Sequence, residues 1–236
     1  MHKSILHKSI HMNLPSIVLA SALAFVARAE TRLASGHADI GVGYEGGFDL
    51  HVHQEEPFEA EYEPDEVTFV VGEAARTTSP GGLFSASLGP AGSVAWVLST
   101  SPHPDLPFIG FGTEELAQDD WLGNVSLTLS GFSGPGNLAV WSVGAFGNTE
   151  VAIDTTRGAG LPNGLSLIPG THAHYSIGFS QPGLYEVSFV ASGTHATDGV
   201  ASGAGTYRFE VVPEPSTWAL LGLGGAVALF AARRRP

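Results

Sequence analysis

The amino-acid sequence predicts an all-β protein built as a single β-sandwich domain. Three observations support this prediction: the central chain is rich in Gly, Ser, Thr and Val, its hydrophobic residues occur in short alternating runs, and turn signals separate those runs. The domain is assigned to residues 30–212, between an N-terminal segment at 1–29 and a C-terminal segment at 213–236. About 180 residues are enough for one hydrophobic core.

The strands are assigned in chain order from these alternating runs. Gly46-Gly47 predicts a two-residue hairpin turn between the first two strands, and 125–131 is expected to pair with 138–143 across a Gly- and Pro-containing turn. Helical signals are weak, with one short helix at 113–118 and Thr113 as its N-cap. The predicted strands are 38–45, 48–55, 67–71, 93–99, 125–131, 138–143, 150–154, 175–179, 185–191 and 207–211.

The first 29 residues have the pattern of a signal peptide. Lys3 and Lys8 form a positive region, residues 14–26 are apolar, and Ala27-Arg28-Ala29 fits a small-x-small cleavage site. We therefore expect an exported protein whose mature chain begins at Glu30. Met12 is the rival to Met1 as the start of translation.

The C-terminal segment combines a polar motif, a short apolar stretch and positive charge. The motif is Pro213, Glu214, Pro215 and Ser216, and the chain ends with Arg233, Arg234, Arg235 and a proline. As a helix, residues 216–232 measure about 26 Å, which barely spans a hydrocarbon core roughly 30 Å thick. The arginines are expected to stay in the cytoplasm, so the chain before Pro213 lies outside. The alternative is an ordinary membrane anchor.

This tail resembles the PEP-CTERM sorting signal of Gram-negative bacteria that have an exosortase. The resemblance implies that the export machinery and an exosortase are partners, with cleavage near the motif. It implies contact with the membrane through the C-terminal transmembrane helix before processing. The protein would then lie in the cell envelope, at the cell surface or in the extracellular matrix.

The charge balance excludes one class of partner. Both lysines and four of the eight arginines lie in the two terminal segments. Between Glu30 and Glu214, four arginines therefore stand against all 23 acidic residues, a formal charge of −19. Nucleic-acid binding requires a basic surface, so we expect no nucleic-acid partner. An acidic surface favours cations and solubility. Cysteine is absent, so the exported domain has no disulfides to stabilise it.

Paired histidines are the unusual feature of the domain. Side chains two residues apart in a strand face the same side, so each pair presents two ligands to one face of a sheet. Two pairs on neighbouring strands could surround Zn²⁺, and the third pair needs the fold to bring it there. The alternative is polar surface or satisfied core histidines. The candidate ligands are His37, Asp39, His51, His53, His172 and His174.

A second resemblance appears at these residues. The segments 35–42, 50–53 and 172–179, with Pro182-Gly183-Leu184-Tyr185, look like the choice-of-anchor M domain of bacterial surface proteins. The resemblance implies a β-rich extracellular module, and some of its relatives are associated with metal-type transporters. It carries no established activity. Ala173 and Ser176 stand where relatives often have an aromatic residue.

Other functions are weighed against these. The chain has no cysteine nucleophile, Gly-x-Ser-x-Gly elbow, His-Glu-x-x-His motif or P-loop, so we expect no enzyme. Exposed Trp96, Trp121 or Trp141 would favour a carbohydrate-binding module with exopolysaccharide as partner, although Trp96 and Trp141 fit core packing better. The acidic run at 55–66 is expected to be solvated, with a weak calcium site as its alternative. The expected role is structural or binding, with surface zinc binding and carbohydrate binding as alternatives.

Overall fold

The computed structural model describes residues 30–157 and 161–213 and confirms an all-β fold. Four short 3-10 turns, at Pro64–Glu66, Glu73–Ala75, Gly82–Phe84 and Gln118–Asp120, interrupt the strands of this region. The strands are β1 (Thr31–Leu33), β2 (Gly36–Tyr44), β3 (Phe48–Gln54), β4 (Ala60–Tyr62), β5 (Val67–Val71), β6 (Arg76–Thr78), β7 (Val94–Leu98), β8 (Pro107–Gly112), β9 (Val125–Ser133), β10 (Leu138–Val143), β11 (Thr149–Asp154), β12 (Gly164–Leu167), β13 (His172–His174), β14 (Ser176–Phe179), β15 (Gly183–His195) and β16 (Gly199–Val211).

The strands form three sheets. The largest has six strands in the order β1-β5-β16-β15-β9-β12, and its centre is the long antiparallel hairpin of β15 and β16. A second sheet has the order β11-β10-β14-β7-β6. The third, which we call the ligand sheet because it carries the predicted ligands, has the order β13-β8-β2-β3-β4.

One hydrophobic cluster connects the three sheets. Phe69 and Phe209 stack within the six-stranded sheet, Phe179 of the second sheet packs on Phe209, and Phe111 of the ligand sheet packs edge-on against Phe189. All five rings are at least 98% buried. Burial of so much aromatic surface supplies the main stabilising free energy of a domain without disulfides.

Two of the predicted connections are wrong. The first hairpin turn has three residues, because Tyr44 pairs with Phe48 and Gly46 takes a positive φ of 80° between them. The segments 125–131 and 138–143 do not pair, since β9 joins β12 and β15 whereas β10 joins β11 and β14. Their connection passes over buried Tyr185, whose ring occupies the space that a Cβ on Gly134 would need. The chain therefore crosses from one sheet to another.

The terminal predictions lie outside the described residues. These are the signal peptide at 1–29, most of the sorting motif from Glu214 onward, the apolar helix at 216–232 and the three arginines. Among residues 30–157 and 161–213, no helix has the length and apolar character to cross a membrane.

Candidate metal centre

The ligand sheet has one core face and one polar face. Along β2, Ala38, Ile40 and Val42 are buried in the core. The alternate residues His37, Asp39 and Gly41 therefore lie on the opposite face. This alternation is what the sequence pattern predicted, and it fixes the direction of the ligands.

Strand register then brings the predicted ligands together. Asp39 pairs with His53 on β3 and with Gly110 on β8, while His174 on β13 pairs with the same Gly110. Gly41 pairs likewise with His51 and with Gly112, which pairs with His172. All six candidate residues thus share one face, and the edge strand β13 supplies the pair that is distant in sequence.

Four of the six form a compact group, which we call the His37 cluster: His37, Asp39, His172 and His174. One ring nitrogen of each histidine lies within 4.8 Å of a nitrogen of the other two. Nε2 of His37 is 3.3 Å from Oδ1 of Asp39. Asp39 and His172 form a further group of this size with Glu114. Three imidazoles and a carboxylate are a donor set that suits Zn²⁺.

The Nδ1 atom of each of these histidines is held by an acceptor. Nδ1 of His174 donates to the carbonyl oxygen of Ile109 at 3.0 Å. Nδ1 of His37 lies 2.6 Å from Glu55, and Nδ1 of His172 lies 2.8 Å from Glu114. Because these oxygens accept hydrogen bonds, the Nδ1 atom that faces each of them carries the proton. In the neutral imidazole, Nε2 then keeps its lone pair. Metal-bound histidines in proteins are oriented in the same way.

Several atoms at the centre of the His37 cluster lack partners. Nε2 of His37 and both carboxylate oxygens of Asp39 are buried and make no hydrogen bond. Asp39 is only 1% exposed. Burying such atoms without partners costs free energy, and native proteins rarely accept the cost without a reason. A cation among these atoms would satisfy all three.

Glycines provide the space for this arrangement. A Cβ on Gly110 would overlap Oδ1 of Asp39, and one on Gly41 would overlap Nε2 of His51. A Cβ on Gly112 would lie 3.4 Å from Oδ2 of Asp39. The ligand side chains therefore lie across the backbone of the neighbouring strand, which is possible only because that strand has no side chain there.

The electrostatics differ among the ligands. Burial raises the pKa of Asp39, partly offset by the nearby His37. The hydrogen bond to Glu114 raises the pKa of His172. Burial lowers the pKa of His174, because the charged imidazolium is poorly solvated there. His174, also stacked on Phe108 with ring centroids 3.8 Å apart, is therefore a neutral ligand at neutral pH.

His51 and His53 lie apart from the His37 cluster. His51 is grouped with Asp49 and Glu61, one ligand atom of each lying within 4.8 Å of the others, and we call these three residues the His51 cluster. His53 lies 3.9 Å from Glu59. The two pairs of the hairpin therefore lie in different groups, with the ring of His51 over Gly41.

A pocket of about 180 Å³ lies between the two clusters, lined by residues of both, including Asp39 and His51. Two adjacent glutamates also line it: Glu114 contacts His172, whereas Glu115 Oε1 lies 3.1 Å from Nε2 of His51. Thr113 fixes this segment. Its hydroxyl donates to Ile168 at 2.7 Å, so the predicted N-cap instead ties the end of β8 to the chain before β13.

Sequence reasoning missed the supporting residues. Glu55 was placed in a solvated acidic run, yet it holds His37, and Glu114 was placed in a short helix. The sequence did contain one signal for this arrangement, because Gly110 and Gly112 are two residues apart, as the paired histidines are. They indicate a strand face kept empty for the side chains of its neighbours.

Within residues 30–157 and 161–213, the three tryptophans do not form an exposed platform. Trp121 is 7% exposed and stacks on Phe48 at a centroid distance of 4.7 Å. Trp96 is buried, as the sequence predicted, and Trp141 is half-buried against Phe84. Trp121 therefore contributes to packing.

Comparison with known proteins identifies the C-terminal signal. A family model described as the PEP-CTERM protein-sorting motif matches residues 211–235. No curated protein and no solved structure matches the chain. The match supports the resemblance of the tail and indicates a bacterial protein that an exosortase recognises and that is exported to the cell envelope or surface. The match begins at Val211, the last residue of β16, and leaves the strands before it unassigned.

Proposed function

We propose that this exported protein binds zinc through the His37 cluster. The observation that carries the proposal is the set of buried, unpartnered atoms of His37 and Asp39, at which the other two histidines converge. With Nδ1 of His37, His172 and His174 held by acceptors, each imidazole has Nε2 available as a ligand.

The chemistry of the site favours Zn²⁺ over harder ions. Zinc is commonly bound by imidazole nitrogen at about 2.0–2.1 Å and carboxylate oxygen at about 2.0–2.2 Å, in tetrahedral geometry. The ligand atoms of the His37 cluster are close enough to contract around one ion. Calcium takes six to eight oxygen ligands and fits three imidazoles poorly. The acidic surface of the mature chain would raise the local concentration of cations.

The proposal includes the finer parts of the sequence interpretation. The β-rich region would be one domain of β-sandwich type, related to the choice-of-anchor M domain, on a Gram-negative cell surface or in its matrix. Its role would be binding and not catalysis. Capture or buffering of zinc outside the cell would suit a protein that the sorting signal directs there.

Zinc titration of the purified exported protein tests this function. Chelator treatment followed by Zn²⁺ should raise the melting temperature, by the equivalent of about 2.7 kcal/mol when free metal is a hundred times the dissociation constant. The double variant His172→Ala/His174→Ala should lose this gain, and His103→Ala, in an exposed loop, should keep it. An unchanged melting temperature in the wild type, or an equal gain in the double variant, would refute zinc binding at the His37 cluster.

A further inference from the structure

The His51 cluster contains a buried imidazole nitrogen that nothing in its surroundings satisfies. His51 is 4% exposed, and its Nδ1 is buried without a hydrogen-bond partner. The other ring nitrogen, Nε2, lies 3.1 Å from Glu115. When a carboxylate holds the Nε2 proton, the lone pair of His51 is on Nδ1, which is a ligand atom without a ligand.

Two carboxylates complete the group. Asp49 lies two residues before His51 in β3 and therefore on the same face of the sheet. Glu61 lies on the neighbouring edge strand β4. Their ligand atoms and that of His51 lie within 4.8 Å of one another. Both acidic residues are exposed, so a hydrated ion can reach them from solvent.

We propose that Asp49, His51 and Glu61 form a second divalent-cation site, distinct from the zinc site, that takes a harder ion such as Mn²⁺. One imidazole and two carboxylates form an oxygen-rich donor set, with water completing the shell. Carboxylate and water ligands suit Mn²⁺, whereas clustered imidazoles suit Zn²⁺. The ligand sheet therefore carries two sites of different character on one face.

The glycines of β2 explain why the two sites stay separate. His51 lies over Gly41, and Glu115 lies over Gly43, where a Cβ would be 2.7 Å from Oε2. The His37 cluster lies over Gly110 and Gly112 on the other side of β2. Each site thus lies over its own pair of glycines. The adjacent Glu114 and Glu115 contact histidines of different sites, His172 and His51.

Counting bound Mn²⁺ by the loss of its free-ion EPR signal tests the second site in the purified exported protein. The wild type should bind one Mn²⁺ per chain at this site. Asp49→Asn/Glu61→Gln should lose it, and His51→Ala should weaken it at least tenfold. Asp119→Asn/Asp120→Asn removes the same charge from exposed positions and should leave the count unchanged.

The variant His172→Ala/His174→Ala separates this proposal from the zinc site. It should bind Mn²⁺ as the wild type does, whether or not the wild type binds zinc. The second site is overturned if the wild type binds no Mn²⁺, or if the charge-matched control loses as much binding as Asp49→Asn/Glu61→Gln. Because Asp49 and Glu61 are exposed, their substitution leaves the core intact.

Discussion

Nε2 of His37 lies 3.3 Å from Oδ1 of Asp39, and neither atom makes a hydrogen bond. With the Nδ1 proton of His37 directed to Glu55, two lone pairs face each other in a buried space. A proton or a cation between them removes the conflict. The apoprotein thus has an energetic cost at the place where a metal would contribute most.

Replacing Asp39 should therefore separate stability from binding. The raised pKa of Asp39 means that the fold disfavours its charged form, so this group lowers stability as pH rises above 3.8. Asp39→Asn should raise the melting temperature of the metal-free protein at pH 7 and abolish the zinc-dependent gain. Calorimetry with and without Zn²⁺ measures both effects. Asp119→Asn, at an exposed position, should change neither. A less stable Asp39→Asn apoprotein would contradict the prediction.

A methyl group at Gly110 should displace the carboxylate of Asp39 from the His37 cluster. In Gly110→Ala, the new methyl group would overlap Oδ1 of Asp39, which can move aside because it is the end of a side chain. We expect a folded protein whose zinc affinity falls by at least tenfold. The matched control is Gly72→Ala, whose methyl would make only ordinary contacts at 4.0 Å. Equal affinities in the two variants would mean that Asp39 is not a ligand.

The affinity for zinc should fall as the pH is lowered, and the fall should begin above pH 6.5. Glu114 holds the pKa of His172 above 6.5, so this ligand protonates first, whereas burial keeps the pKa of His174 below 6.5. In the metal-free protein, the ion pair of His172 stabilises the fold fully below pH 6.5 and loses its effect as pH rises through the raised pKa. NMR titration of the imidazoles measures both values.

The variant Glu114→Gln should lower the pKa of His172 and move the acid loss of zinc toward lower pH. Glu115→Gln is the matched control, because its carboxylate contacts His51 and not His172. If His172 titrates at or below 6.5 in the wild type, the stated role of Glu114 is wrong.

Trp121 should behave as a packing residue. Its stacking on Phe48 and its burial predict that Trp121→Ala lowers the free energy of unfolding by about 3–5 kcal/mol. Leu122→Ala, at a neighbouring side chain that is 69% exposed, should change it by less than about 0.5 kcal/mol. Urea unfolding decides. A stable Trp121→Ala protein with weakened retention on host polysaccharide would restore the carbohydrate interpretation.

The sorting signal predicts the covalent form of the mature protein. In a host with the matching exosortase, the mature chain should lack Trp218–Pro236, and deletion of that enzyme should leave these residues in place. Intact-mass measurement distinguishes the two forms. A full-length tail in the wild-type host would contradict exosortase processing.

Much of the fold was predictable because alternation is local. The strands 67–71 and 138–143 were predicted at their observed bounds, and β2 and β3 within two residues of theirs. Pairing was less predictable, since the crossing from β9 to β10 depends on where Tyr185 packs. Similarly, alternation predicted that His37 and Asp39 share one face, whereas the position of the His51 ring over Gly41 depends on the register of the neighbouring strand.

The position of the last strand determines how the fold would respond to a force applied at its C-terminal end. β16 ends at Val211, two residues before Pro213, and it lies between β5 and β15 with partners on both edges. A pull along the strand axis through the chain beyond Pro213 would load these transverse hydrogen bonds in shear, many at once. A force applied there would act on all of these hydrogen bonds together and would not separate the sheet one bond at a time.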